Sequence, residues 1–176
     1  MEQLTLDQWT FLVQFIHPQK IVGLPGMNEA VSLAAFGLDP AAFARIKASL
    51  AEHARRAAVE LLADPAFAAR IDRLPFARGA KIVALGDSIT DDDQSWAEIL
   101  RHVLALRRPG EGIALVNAGV SGDTTAQALA RFLAVVNEQP DWIVCMLGTN
   151  DARQHGRDPY KILVSLDETE RNLAAL

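Results

Sequence analysis

Three residues of this 176-residue chain combine side-chain type and setting in a way that suits attack on a carbonyl: Ser88, Gly122 and Asn150. Ser88 stands in Gly86-Asp87-Ser88 and Asn150 in Gly148-Thr149-Asn150-Asp151. Gly122 stands in Asn117-Ala118-Gly119-Val120-Ser121-Gly122-Asp123-Thr124. A serine hydroxyl becomes a nucleophile once a base removes its proton. A glycine lets a backbone N–H approach a ligand with no Cβ in the way, and an asparagine side chain supplies a neutral NH₂ donor. Two or three such donors around an attacked carbonyl form an oxyanion hole, and losing one typically costs about 10²- to 10³-fold in rate.

These groups act together only if the chain brings them to one place. Ile82 to Leu85 is a short, branched apolar run suited to a strand buried on both faces, and it stops at Gly86. Strands are predicted near 82–86, 113–117 and 142–147, with a tight polar turn after the first. One intervening helix carries Trp96, Ile99, Leu100 and Val103 and opens with the capping box Ser95 and Glu98. The next carries Leu129, Phe132, Leu133 and Val136 and opens at Thr124 with Gln127. A last helix begins at Ser165, capped against Glu168. Strand starts recur about every thirty residues, the size of a βαβ unit, so a parallel sheet with right-handed crossovers is predicted. All three turns then lie on one edge, where open α/β sheets hold their ligands.

Residues 1–75 read as an N-terminal helical extension and 76–176 as the α/β domain. Leu6, Trp9, Val13 and Ile16 recur at helical spacing, and Asn28 caps a second helix. Asp39-Pro40 opens the longest one, whose stripe is Phe43, Ile46, Leu50, Ala54, Ala57 and Leu61. Asp64-Pro65 repeats that start signal. Nothing in this half is demanded by chemistry, so it reads as a packing appendage or the place for a homo-oligomer contact.

Composition narrows the classes. Half the residues are hydrophobic and 22% charged, which is ordinary for a globular chain, and the net charge of −5 argues against nucleic acid as a partner. No apolar stretch approaches the roughly 20 residues of a membrane span. With no basic N-terminal region and a single cysteine, Cys145, a cytoplasmic location is the default. Neither a dinucleotide-binding nor a triphosphate-binding glycine pattern follows the first strand, so no cofactor is expected. An aspartyl phosphotransferase wants an aspartate two residues after Asp87, where Ile89 stands.

The three turns resemble blocks I, II and III of the SGNH, or GDSL-type, hydrolases, a group of esterases, lipases, thioesterases and carbohydrate deacetylases. The glycine, aspartate and serine of block I match Gly86, Asp87 and Ser88; the block II glycine matches Gly122; and block III matches Gly148, Thr149, Asn150 and Asp151. The resemblance covers roughly residues 81–176 and implies a flavodoxin-like three-layer α/β/α sandwich, usually of five parallel strands, of which the three expected here stand in the order 2-1-3. It implies Ser88 as nucleophile on a small acyl ester, with the N–H groups of Ser88 and Gly122 and the Asn150 side chain as oxyanion hole.

One block is absent. The family takes its base from an Asp-x-x-His block, yet His17, His53, His102 and His155 are preceded at that offset by Gln14, Leu50, Ile99 and Ala152. The expectation is therefore the front part of a longer hydrolase, inactive by itself, with His155 as the only substitute base near the active edge. The alternative is an inert chain whose helical segment is a binding module. His17, His53 and His102 are expected to be exposed, and Asp87 and Asp151 to accept hydrogen bonds that fix their turns. Asp91, Asp92 and Asp93 show no further metal-ligand set and read as a solvated loop beside a helix N-terminus, so no metal site is expected. Trp142 to Leu147 is a continuous apolar run that the 2-1-3 order leaves at an edge, an aggregation hazard.

Overall fold

The computed structural model describes residues 4–21, 28–154 and 160–176. They fall into two compact units, Met1–Phe76 with Asp92–Glu111, and Ala77–Asp91 with Gly112–Leu176.

The first unit is helical. It contains α1 (Leu6–Phe15), a 3₁₀ turn at Pro18–Lys20, α2 (Glu29–Ala35), α3 (Pro40–Leu62) and α4 (Pro65–Asp72). Asn28, Asp39 and Asp64 each turn a side-chain oxygen to a backbone N–H of the first turn, as the sequence signals predict, and Thr5 does the same for α1. Val13, Leu33, Leu38, Ile46 and Leu50 form its core, with Trp9, Leu12, Ala42 and Phe43 against them. Full burial of such a side chain stabilises by about 1.5–3 kcal/mol. Two predicted stripes shift. On α1 only Val13 is buried, and Leu6 is largely exposed. On α3 the buried line runs Ile46, Leu50, Ala54, Ala58 and leaves Leu61 exposed, because steps of four drift round a helix of 3.6 residues per turn.

The second unit holds the sheet. β1 (Lys81–Gly86) pairs in parallel with β2 (Ala114–Gly119) and β3 (Trp142–Met146), as the strand spacing predicts, and the order β2-β1-β3 is the one the family resemblance implies. Ile82, Val83, Ala84 and Leu85 are fully buried, as a central parallel strand requires. A single helical turn, α5 (Ser88–Asp91), follows β1; the next helix, α6 (Trp96–Arg107), groups with the first unit. After β2 the chain forms α7 (Thr125–Ala130) and α8 (Phe132–Asn137), and after β3 it reaches α9 (Leu166–Ala175). Val83 and Leu85 meet Ala128 and Val135, flanked by Val116, Ala118, Phe132, Leu147 and Leu176.

The one helix predicted from Thr124 to Val136 is thus two. It breaks at Arg131, whose backbone takes φ −103° and ψ 7°. The buried positions are Thr125, Ala128 and Val135, while Leu133 and Val136 face outward. β3 ends the sheet, and Trp142, Ile143, Cys145 and Met146 are all exposed.

Candidate active site

The carboxyl ends of the strands stand at one level, because Gly86 pairs with Gly119 on one side and Met146 on the other. Ser88, Gly122 and Asn150 follow these strand ends within a few residues. Gly86 leaves no room for a side chain: a Cβ would collide with the Thr90 side chain and stand 2.9 Å from the Met146 carbonyl oxygen. Its own carbonyl oxygen accepts from Val120 N at 3.0 Å and from an Arg131 guanidinium nitrogen at 3.2 Å.

Asp87 converts the strand end into a helical turn. Its Oδ1 accepts from Ile89 N at 2.9 Å, and its backbone oxygen accepts from Thr90 N and Asp91 N at 3.0 and 2.8 Å. Half-buried Ser88 therefore opens α5, a single helical turn where the sequence predicts a tight polar turn. Asp87 Oδ2 is buried and accepts no hydrogen bond among the described residues.

Asp91 ties α5 to the loop after β2, its Oδ2 accepting from Ser121 N at 2.9 Å and from Ser121 Oγ at 2.8 Å. Asn117 adds a second tie: its Nδ2 donates to the Thr90 carbonyl at 2.7 Å, and its Oδ1 accepts from Gly119 N at 3.0 Å. The expectation of a solvated acidic loop is thus wrong for Asp91, which is 2% exposed. Its partner lies 30 residues away in sequence.

Gly122 is exposed with φ +90°, a left-handed conformation that favours glycine. A Cβ there would meet nothing within 4 Å, so backbone shape and not crowding calls for glycine. Beside it, Asp123 Oδ2 accepts from Arg131 Nε at 2.5 Å. Burial pushes the Asp123 carboxyl above its ordinary value; the guanidinium opposes this, and the Asp91 and Asp87 charges add to it.

Asn150, 8% exposed, donates from Nδ2 to the Asp123 carbonyl at 2.8 Å, joining the turn after β3 to the turn after β2. Asp151 reaches further than its own turn. It accepts from Thr125 N at 3.0 and 3.2 Å, from the Thr125 hydroxyl in a very short bond, and from Thr169 Oγ1 at 3.1 Å. Asn172 Nδ2 completes the buried network on Thr125 Oγ1 at 3.1 Å.

Sequence reasoning does not single out Arg131, Thr125, Thr169 or Asn172. The one available signal is a charged Arg131 inside an otherwise apolar helix run. His155 lies outside the described residues. His17 is 5% exposed, which corrects the expectation that it faces solvent. No helix of the described residues is long and apolar enough to cross a membrane.

The model of the GDSL-like lipase/acylhydrolase family matches residues 84–175, and the chain belongs to that family. It is 33% identical over 115 residues to an acetylxylan esterase of Geobacillus stearothermophilus, covering 56% of this chain and 52% of that protein. It is 38% identical over 101 residues to the esterase TesA of Pseudomonas aeruginosa, covering 54% and 45%. A crystal structure of Axe2, an acetylxylan esterase from Geobacillus stearothermophilus, matches with a TM-score of 0.50 at 29% identity, covering 57% of this chain and 53% of that one. Axe2 variants with alanine in place of a serine, an aspartate or a histidine are described as catalytic mutants. The chain spans about half the length of the curated relatives it matches.

Proposed function

We propose that this chain carries the nucleophile and oxyanion hole of a serine hydrolase acting on small carboxylic esters, thioesters or O-acetyl groups. The observation that carries the reading is the Asn150 Nδ2 bond to the Asp123 carbonyl. It uses one of two amide hydrogens and leaves the second for an acyl oxygen. Ser88 Oγ attacks the acyl carbon, its proton passing to a base. The N–H groups of Ser88 and Gly122 and the Asn150 amide hold the negative oxygen, the alcohol leaves, and water then cleaves the acyl-serine ester. Asp87 and Asp151 position Ser88 and Asn150 through the bonds they accept. A reducing compartment such as the cytoplasm suits the exposed Cys145.

No Asp-x-x-His block occurs in these 176 residues, so turnover by this chain alone is proposed to be negligible. In subtilisin, loss of the serine or the histidine of the triad costs about 10⁶-fold in kcat. A second reading, an inert binding module, draws on the exposed Leu6, Phe11, Ile21 and Phe36 of the helical unit.

One experiment separates them. The chain and its Ser88→Ala variant are assayed on p-nitrophenyl acetate at neutral pH, then incubated at alkaline pH with a serine-directed fluorophosphonate and mapped by mass spectrometry. The expected result is equal turnover but slow labelling confined to Ser88. Absence of label at Ser88 supports the binding module. Turnover well above the variant, abolished by His155→Ala, makes His155 the base and overturns the proposed inactivity.

A further inference from the structure

The helical unit contains a polar cluster that the ester chemistry does not use. His17 sits just before the 3₁₀ turn, Glu29 in the first turn of α2, and Asp93 on the loop ahead of α6. His17 Nε2 stands 3.7 Å from Glu29 Oε1 and 3.8 Å from Asp93 Oδ1, and the three ligand atoms all lie within 4.8 Å of one another. The two His17 spacings exceed an N–H···O hydrogen bond, roughly 2.7–3.2 Å. They lie nearer the edge of a zinc tetrahedron, about 3.4 Å when the bonds are 2.0–2.1 Å.

We propose that His17, Glu29 and Asp93 form a binding site for a zinc-class divalent cation, with water completing the coordination. Three further observations support it. The imidazole is buried, with its side chain only 3% exposed. Glu29 Oε1 is buried and accepts no hydrogen bond among the described residues, an orphaned acceptor that a cation would satisfy. The loop is already braced: Gln14 Nε2 and Gln94 N donate to Asp92 Oδ1 at 2.8 and 2.7 Å, and Asp93 N donates to the Gln14 carbonyl at 3.3 Å. Asp93 is thereby held by its neighbours, as metal ligands are by their supporting residues.

Lys47 is the competitor. Its ammonium donates to Asp93 Oδ2 at 2.7 Å and to Glu29 Oε2 at 3.1 Å, using the carboxylate oxygens that do not face His17. Burial works against its charge, but Asp93 and Glu29 outweigh that and hold Lys47 protonated above its ordinary value. One imidazole nitrogen and two carboxylate oxygens are ligand types that zinc takes. The lysine weakens the site by repulsion without occupying the same atoms. A bound cation would clasp the start of the helical unit to the loop ahead of α6.

The test is calorimetric titration of the chelator-treated 176-residue chain with zinc chloride, beside His17→Gln, Glu29→Gln and Lys47→Met. The expected result is one zinc bound per wild-type chain, loss of that equivalent in the glutamine variants, and tighter binding in Lys47→Met. Far-UV circular dichroism of the unloaded proteins separates a lost ligand from a lost fold. If a glutamine variant fails to fold, Lys47→Met, which keeps all three ligands, decides. A wild type that takes up no zinc, a folded glutamine variant that keeps the equivalent, or a Lys47→Met chain that binds no tighter than wild type overturns the proposal.

Discussion

Asn150 Nδ2 and the backbone oxygen of Asp123 stand 2.8 Å apart, so a side chain from the turn after β3 braces the backbone of the turn after β2. The two residues are 27 positions apart, and the bond is buried. Asn150→Ala removes the donor and is expected to lower stability by about 1–2 kcal/mol. Urea unfolding of the two proteins measures it. A change under about 0.5 kcal/mol would mean that the turns are held by other contacts.

Asp151 is the hub of a larger network, accepting from Thr125 and Thr169 while Asn172 supports Thr125. Replacing it by asparagine removes the charge and turns an NH₂ group toward donors. Hydrogen bonds to a charged group contribute about 1.5–3 kcal/mol, so Asp151→Asn is expected to cost about 3 kcal/mol. Thr169→Ala should cost less in that background than in the wild type, since the two changes share one bond. Strict additivity in a double-mutant cycle would contradict the network.

Asp123 gives a pH prediction of fixed sign. Burial first, then the Asp91 and Asp87 charges, raise its carboxyl above the ordinary 3.8 in spite of Arg131. The folded protein therefore holds this proton more tightly than the unfolded chain. The resulting penalty is absent below the ordinary value, grows as pH rises through the window between the two values, and is complete above the folded one. Wild-type stability minus that of Asp123→Asn should fall as pH rises above the ordinary carboxylate value, until the folded carboxyl is fully ionised. A difference that rises over that range would show that Arg131 outweighs burial.

The features legible in sequence are those whose cause is local. Asp39-Pro40, Ser95 with Glu98, and Ser165 with Glu168 mark helix starts because a backbone N–H two or three residues on needs an acceptor. The Ile82 to Leu85 run shows a central strand through its own composition. Gly86, Gly122 and Asn150 are visible as residues in strand-end turns, although the need for glycine at 122 proves to be its φ and not crowding. What stays hidden has distant partners. Asp92 is set by Gln14, 78 residues earlier, and Asp93 by Lys47, 46 residues earlier, so an acidic run that looks solvated is built into structure. Arg131 breaks its helix while its side chain bonds Asp123 and the Gly86 carbonyl, a demand that helical periodicity cannot register.

The outer strand carries a reporter of its own. Cys145 is the only thiol in the chain and lies exposed on β3. A maleimide dye will therefore mark one known spot without mutagenesis. The speed of that reaction gauges coverage: a neighbouring polypeptide, whether a second copy or a further strand, would shield the sulfur and slow the dye.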